Sequence, residues 1–91
     1  MLRGYYKDFR LAEKMGEQFI RDLFHCILSD IDQEKDIGKT DLLMKDMETL
    51  RTFPGSIKLA QVYQELSDEL YRWLSKNCEF NKDNQFIGFK A

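Results

Sequence analysis

Apolar and polar positions repeat along this chain with a helical period. Ala12, Met15, Phe19, Leu23, Ile27 and Ile31 recur every three or four residues, and Ile20, Phe24 and Leu28 widen that stripe. This spacing sets one face of an α-helix against a core and predicts a helix from about Asp8 to Asp30. Glu13, Lys14, Glu17, Gln18, Arg21, Asp22 and Ser29 form its wet side. The stripe is broad enough to meet two neighbours. Gly16 interrupts it at a cost of about 1 kcal/mol relative to alanine, which reads as a close helix approach or as a bend.

Residues 31–39 read as a charged connection. A shorter helix is expected from Asp41 to Thr52, capped by Thr40 or Asp41, with Leu43, Met47 and Leu50 as its stripe and Leu42 beside them. Phe53-Pro54-Gly55-Ser56 then forms the strongest break in the chain. Pro54, the sole proline, biases Phe53 away from helix. Pro-Gly fits the centre of a type II turn, where glycine accepts positive φ, and Ser56 stands at an N-cap position. The third helix, Ile57 to Lys76, carries Leu59, Val62, Tyr63, Leu66, Leu70, Trp73 and Leu74 on one face. Asp68 and Arg72 are spaced for an ion pair, and Asn77 suits a left-handed C-cap. Phe80, Phe86, Ile87 and Phe89 after it, and Leu2, Tyr5 and Tyr6 before the first helix, are too apolar for free solvation. Both ends are expected to lie over the bundle, as short extended pieces or one further helical turn.

Ninety-one residues make one domain with a single core, burying about 60–65% of its unfolded surface. The net charge of −2 gives no basic excess for nucleic acid. The charge is unevenly spread: residues 30–48 hold Asp30, Asp32, Glu34, Asp36, Asp41, Asp46 and Glu48 against Lys35, Lys39 and Lys45, a net −4. The two cysteines, Cys26 on a buried helix face and Cys78 just past a helix end, are too few for a disulfide scaffold. Two reduced thiols are the expectation, with a single bridge the alternative. No apolar run approaches a membrane span, and the N-terminus lacks a signal-peptide core. A cytoplasmic location is therefore expected.

No catalytic or metal constellation emerges. His25, the only histidine, reads as a surface residue salt-linked to Asp22, with no nucleophile spaced to join it. Cys26 reads as a core thiol, since adjacent helical residues point about 100° apart and His25 cannot activate it. Asp30, Asp32, Glu34, Asp36 and Asp41 fall at calcium-loop positions 1, 3, 5, 7 and 12, but Lys35 stands where that loop requires glycine. The acids read instead as a solvated connection or part of a partner-binding surface. Trp73 and Tyr63 read as core anchors. No metal or cofactor is expected.

An acidic second helix (Asp41 to Thr52), the Pro54-Gly55-Ser56 break after it, Trp73 in the last helix and the Gly88-Phe89-Lys90 ending are together similar to the DNase-colicin immunity proteins. The length and the long final helix with a trailing tail are similar to the pediocin-type group. The chain thus resembles, over part of its length, the small helical bacteriocin immunity proteins. That resemblance implies a binding protein whose acidic surface masks a basic toxin domain, with Asp41, Asp46 and Glu48 as residues to test.

The expected fold is all-α: one domain over residues 1–91, an antiparallel bundle of three main helices with ordered N- and C-terminal segments. The expected function is non-enzymatic binding of a basic protein partner, as an inhibitor or immunity factor, through the seven acids of residues 30–48. A phage- or plasmid-type regulatory adaptor acting on transcription machinery is the alternative. A homo-oligomeric helical module is a third reading, because the first stripe exceeds what the other two helices can cover.

Overall fold

The computed structural model describes residues 4–90. Among them are four helices, α1 (Tyr6–Glu13), α2 (Glu17–Glu34), α3 (Ile37–Thr52) and α4 (Ile57–Asn77), and two short strands, β1 (Cys78–Phe80) and β2 (Phe86–Phe89). The protein is mostly helical, but the expected three-helix arrangement is corrected in two places.

The first expected helix is two. α1 stops at Glu13, and Gly16 takes φ +116° and ψ 169° ahead of α2, a region that is essentially glycine's alone. The Gly16 amide still donates to the Ala12 carbonyl at 3.2 Å. The chain then turns, and α1 packs against both α2 and α3. Of the bend and the close approach, the bend is what forms.

The expected connection is mostly helix. α2 continues to Glu34 because Ile31 lies one turn beyond Ile27 and is fully buried. Charged side chains fill only the solvent side of that last turn. Lys35 ends α2 in the left-handed region (φ 52°), and Asp36 caps α3, its Oδ1 accepting from the Lys39 amide at 2.9 Å. Thr40 and Asp41, the expected caps, are already inside α3. Thr40 is buried, its hydroxyl donating to the Asp36 carbonyl at 2.8 Å.

The Pro54 break separates α3 from α4, which pack together. Ser56 is the N-cap, its Oγ accepting from the Leu59 amide at 3.2 Å. Gly55 does not take positive φ, so the turn is not type II. A Cβ on Gly55 would reach ordinary contact with Glu13, 3.4 Å from its Oε1. Arg10 reaches into the same place. Its Nη2 donates to the Phe53 carbonyl at 2.5 Å, and its Nη1 pairs with Glu13 at 2.9 Å. The Tyr63 hydroxyl donates to Glu13 Oε2 at 2.5 Å. This network pins α1 to the α3–α4 turn.

The C-terminal segment is an antiparallel hairpin. Cys78 pairs with Phe89, Glu79 with Gly88 and Phe80 with Phe86, which leaves Ile87 as a bulge. Asn81 holds the turn, its Oδ1 accepting from the Asp83 and Gln85 amides at 2.9 Å each. Trp73, Phe80, Phe86 and Phe89 meet edge to face in a chain, with centroids 5.9–6.0 Å apart. α4 runs directly into β1, so Asn77 does not form a left-handed cap; its side-chain amide donates to the Trp73 carbonyl at 2.9 Å. The N-terminal expectation is described only from Gly4 onward, and Leu2 lies outside the described residues.

The core joins Phe9 and Ala12 of α1, Ile20, Phe24, Ile27 and Ile31 of α2, Leu43, Met47 and Leu50 of α3, and Val62, Tyr63, Leu66, Leu70 and Leu74 of α4. The α4 stripe is close to expectation, with Leu59 and Trp73 at its margins. The α2 stripe is rotated. Its buried row is Ile20–Phe24–Ile27–Ile31, whereas Met15 and Phe19 stay exposed.

Candidate protein-interaction site

The seven acids of residues 30–48 do not share one face. Asp32 and Glu34 are exposed at the end of α2, where Asp32 meets Lys35 Nζ at 2.8 Å and Glu34 meets Lys39 Nζ at 2.7 Å. Asp36 follows as the α3 cap. Asp41 pairs with Lys45 Nζ at 2.9 Å and Glu48 with Arg51 Nη2 at 2.5 Å. These two lie on the side of α3 that faces the hairpin, lining a shallow groove with Met44, Tyr71 and Phe86. Asp46 is about 140° around the helix from Asp41. Its Oδ2 accepts from the Tyr5 amide at 2.6 Å, so it fastens the chain ahead of α1. Asp30 stands one turn before Glu34 on α2, in a cleft with Tyr5, Lys7, Asp8 and Lys39, the lysine that pairs with Glu34.

Most of these charges are therefore engaged within the chain. The Arg51 guanidinium holds the Glu48 carboxyl below its usual range, and Glu34 raises the Lys39 ammonium. Among the described residues, Asp30 makes no ion pair. Lys35, Lys39 and Lys45 pair with Asp32, Glu34 and Asp41, which leaves the segment's net −4 on Asp30, Asp36, Asp46 and Glu48, the last paired with Arg51 outside the segment. Asp32 and Glu34 also sit in the last turn of α2, which has no basic residue. Carboxylates at the negative end of a helix dipole cost about 0.3–1 kcal/mol each.

A second surface was not expected at this place. α1 and α2 flank an apolar groove lined by Leu11, Met15, Phe19, Leu23 and Cys26, with Asp8, Lys14 and Asp22 at its margins. Leu11 is 53% exposed, Met15 63% and Phe19 52%. Cys26 is correspondingly exposed rather than in the core, because the buried row of α2 runs through Ile27, about 100° away. Its free thiol lies apart from that of Cys78, which is buried, and burial pushes the Cys78 thiol up.

His25 is exposed, and its partner is Glu69 of α4 rather than Asp22, with Nε2 2.7 Å from Glu69 Oε2. Asp22 accepts instead from Gln18 Nε2 at 2.9 Å. Asp68 likewise accepts from Gln64 at 3.0 Å rather than meeting Arg72. Tyr63 is fully buried, and burial and the Glu13 carboxylate push its phenol up. No helix among the described residues is long and apolar enough to cross a membrane. No protein-family model matches this chain, and neither a curated protein nor a solved structure matches it.

Proposed function

We propose that this chain is a non-enzymatic protein-binding domain, an inhibitor or immunity factor that masks a basic partner through the corner where α2 gives way to α3. The observation that carries this reading is the placement of Asp32 and Glu34 in the last turn of α2, without a cation in that turn. The helix dipole works against them there, and with Lys35 and Lys39 paired to them residues 30–41 still hold five acids against two lysines, which keeps the potential outside the corner negative. Asp36 and Asp41 follow directly in the chain and extend the same field. Surface ion pairs such as Asp32–Lys35 contribute little to folding and can be exchanged for a partner's cations. Such a field steers a basic surface and weakens as salt screens it.

The test begins with affinity capture from an extract of the source cells and continues with the purified partner. Stopped-flow association is measured across a salt series for the native chain and for a variant carrying Asp32→Lys, Glu34→Lys and Asp41→Lys. Asp46 is left intact, because its carboxylate holds the Tyr5 amide. Association is expected to slow with added salt and to slow further in the variant. Equal rates for both proteins, without salt dependence, would refute the acidic corner as the binding face.

A further inference from the structure

We propose that the groove between α1 and α2 is a pairing face on which two copies of this chain meet around a two-fold axis. Leu11, Met15 and Phe19 each keep half or more of their surface open. They adjoin the partly buried Leu23 and the exposed Cys26 in one continuous furrow between two helices. A contiguous apolar row rimmed by polar residues marks an interaction surface, since water on it is unfavourable. Two helices flanking a furrow also present the ridges that another helix pair can interlock with.

What singles out a second copy is the charge at the two ends. Lys14 stands at the turn end of the groove, at the C-terminal edge of α1. Asp30 stands at the far end on α2, one turn beyond Cys26. It lies in the cleft that adjoins the groove through Asp8 and Leu11. Neither Lys14 nor Asp30 makes an ion pair among the described residues. A two-fold axis lying in the interface, through the middle of the furrow near Leu11 and Leu23 and square to the line from Lys14 to Asp30, lays the two furrows across one another at an oblique angle. The turn-end corner of α1 in one copy then meets the far-end corner of α2 in the other. Lys14 of each copy comes over Asp30 of the other, and the apolar middles meet. An isologous interface needs one patch that complements itself, with each contact made twice. This groove carries both halves of that complement. The apolar lining of the groove and the acids of the corner are different residues, so Phe19→Asp tests the pairing apart from the binding reading above.

Sedimentation equilibrium over a wide range of protein concentration tests the pairing. The native chain is expected to follow a monomer–dimer equilibrium. Phe19→Asp, at the centre of an exposed row, should raise the dissociation constant about tenfold or more. Far-ultraviolet circular dichroism and a melting curve confirm that the variant is folded. Lys14→Glu and Asp30→Lys should each weaken the dimer about fivefold or more, because each reversed contact occurs twice. Mixing these two variants should restore association. The introduced glutamate of one chain then faces the introduced lysine of the other, and the unaltered Lys14 faces the unaltered Asp30. Monomer at every concentration would overturn the proposal. So would a dimer indifferent to Phe19→Asp, or a mixture that associates no better than its components.

Discussion

Substituting Gly16 should distinguish two helices from one by the sign of its effect. Were residues 8–30 one continuous helix, Gly16→Ala would stabilise the protein by about 1 kcal/mol, the helix-propensity difference between the two residues. Gly16 instead lies at φ +116° and ψ 169°, where an L-residue is strained by about 1–3 kcal/mol. Steric crowding adds nothing, because a Cβ at this position meets no atom within 4 Å. The expected result is therefore a loss of about 1–3 kcal/mol. In a domain of this size that lowers the melting temperature by about 5–20 °C. The mirror-image substitution isolates the cause. D-alanine prefers the reflected dihedral regions, so this conformation falls in its own extended region. It should stabilise by about 0.4–1 kcal/mol by restricting the unfolded chain. Cys26 and Cys78 offer ligation junctions for assembling such a chain from synthetic segments. Urea unfolding followed by circular dichroism and by Trp73 fluorescence supplies the free energies and tests two-state behaviour. An L-alanine variant at least as stable as the native chain would refute the break between α1 and α2. A D-alanine variant as damaged as the L-form would show that backbone handedness is not what Gly16 supplies.

Leu66 is 1% exposed in the middle of α4, and Leu66→Ala should cost about 2–5 kcal/mol; a loss under about 0.5 kcal/mol would place it on the wrong face. Ser67 is 3% exposed and its Oγ has no hydrogen-bond partner among the described residues. Ser67→Ala should raise the urea midpoint by the equivalent of about 0.5–2 kcal/mol, through removal of an unpaired buried hydroxyl and a better helix former, and a lowered midpoint would reveal a partner for the hydroxyl. Tyr63 gives a pH signature: its phenol is raised in the folded state, so its contribution is complete below the unfolded value of about 10 and is lost as pH rises through the folded value. Stability should therefore fall above about pH 10 by up to about 1.4 kcal/mol per pH unit from this group, and Tyr63→Phe should flatten that fall in alkaline urea titrations; an unchanged slope would mean that Tyr63 ionises as freely folded as unfolded.

The parts of this fold that were legible in the sequence are those set by local chemistry and a single phase. In α4 no residue interrupts the period between Ile57 and Asn77, so its stripe from Val62 to Leu74 could be read directly. The Ser56 cap was legible for the same reason, since the proline break left only one place for a helix to restart. Before Pro54 the reading failed where one helix phase was carried across a discontinuity. Extending the α1 pattern through Gly16 put Met15, Phe19 and Cys26 into the core. The turn at Gly16 resets the phase, and the buried row of α2 keeps Ile20, Phe24, Ile27 and Ile31 of the expected stripe and leaves Phe19 outside it. The opposite error ended α2 too early, because charged residues 32–35 look like a loop until Ile31 is seen to need one more turn. Both errors bear on the candidate surfaces. Moving the helix ends wraps the acids around a cap and two helices, which turns Asp46 away from Asp41 and Glu48. Resetting the phase leaves the surplus of the first stripe at the surface as a groove. The breadth of that stripe was the available signal for an open apolar face. Its position depended on where Gly16 turned the chain, a tertiary choice that periodicity alone does not contain.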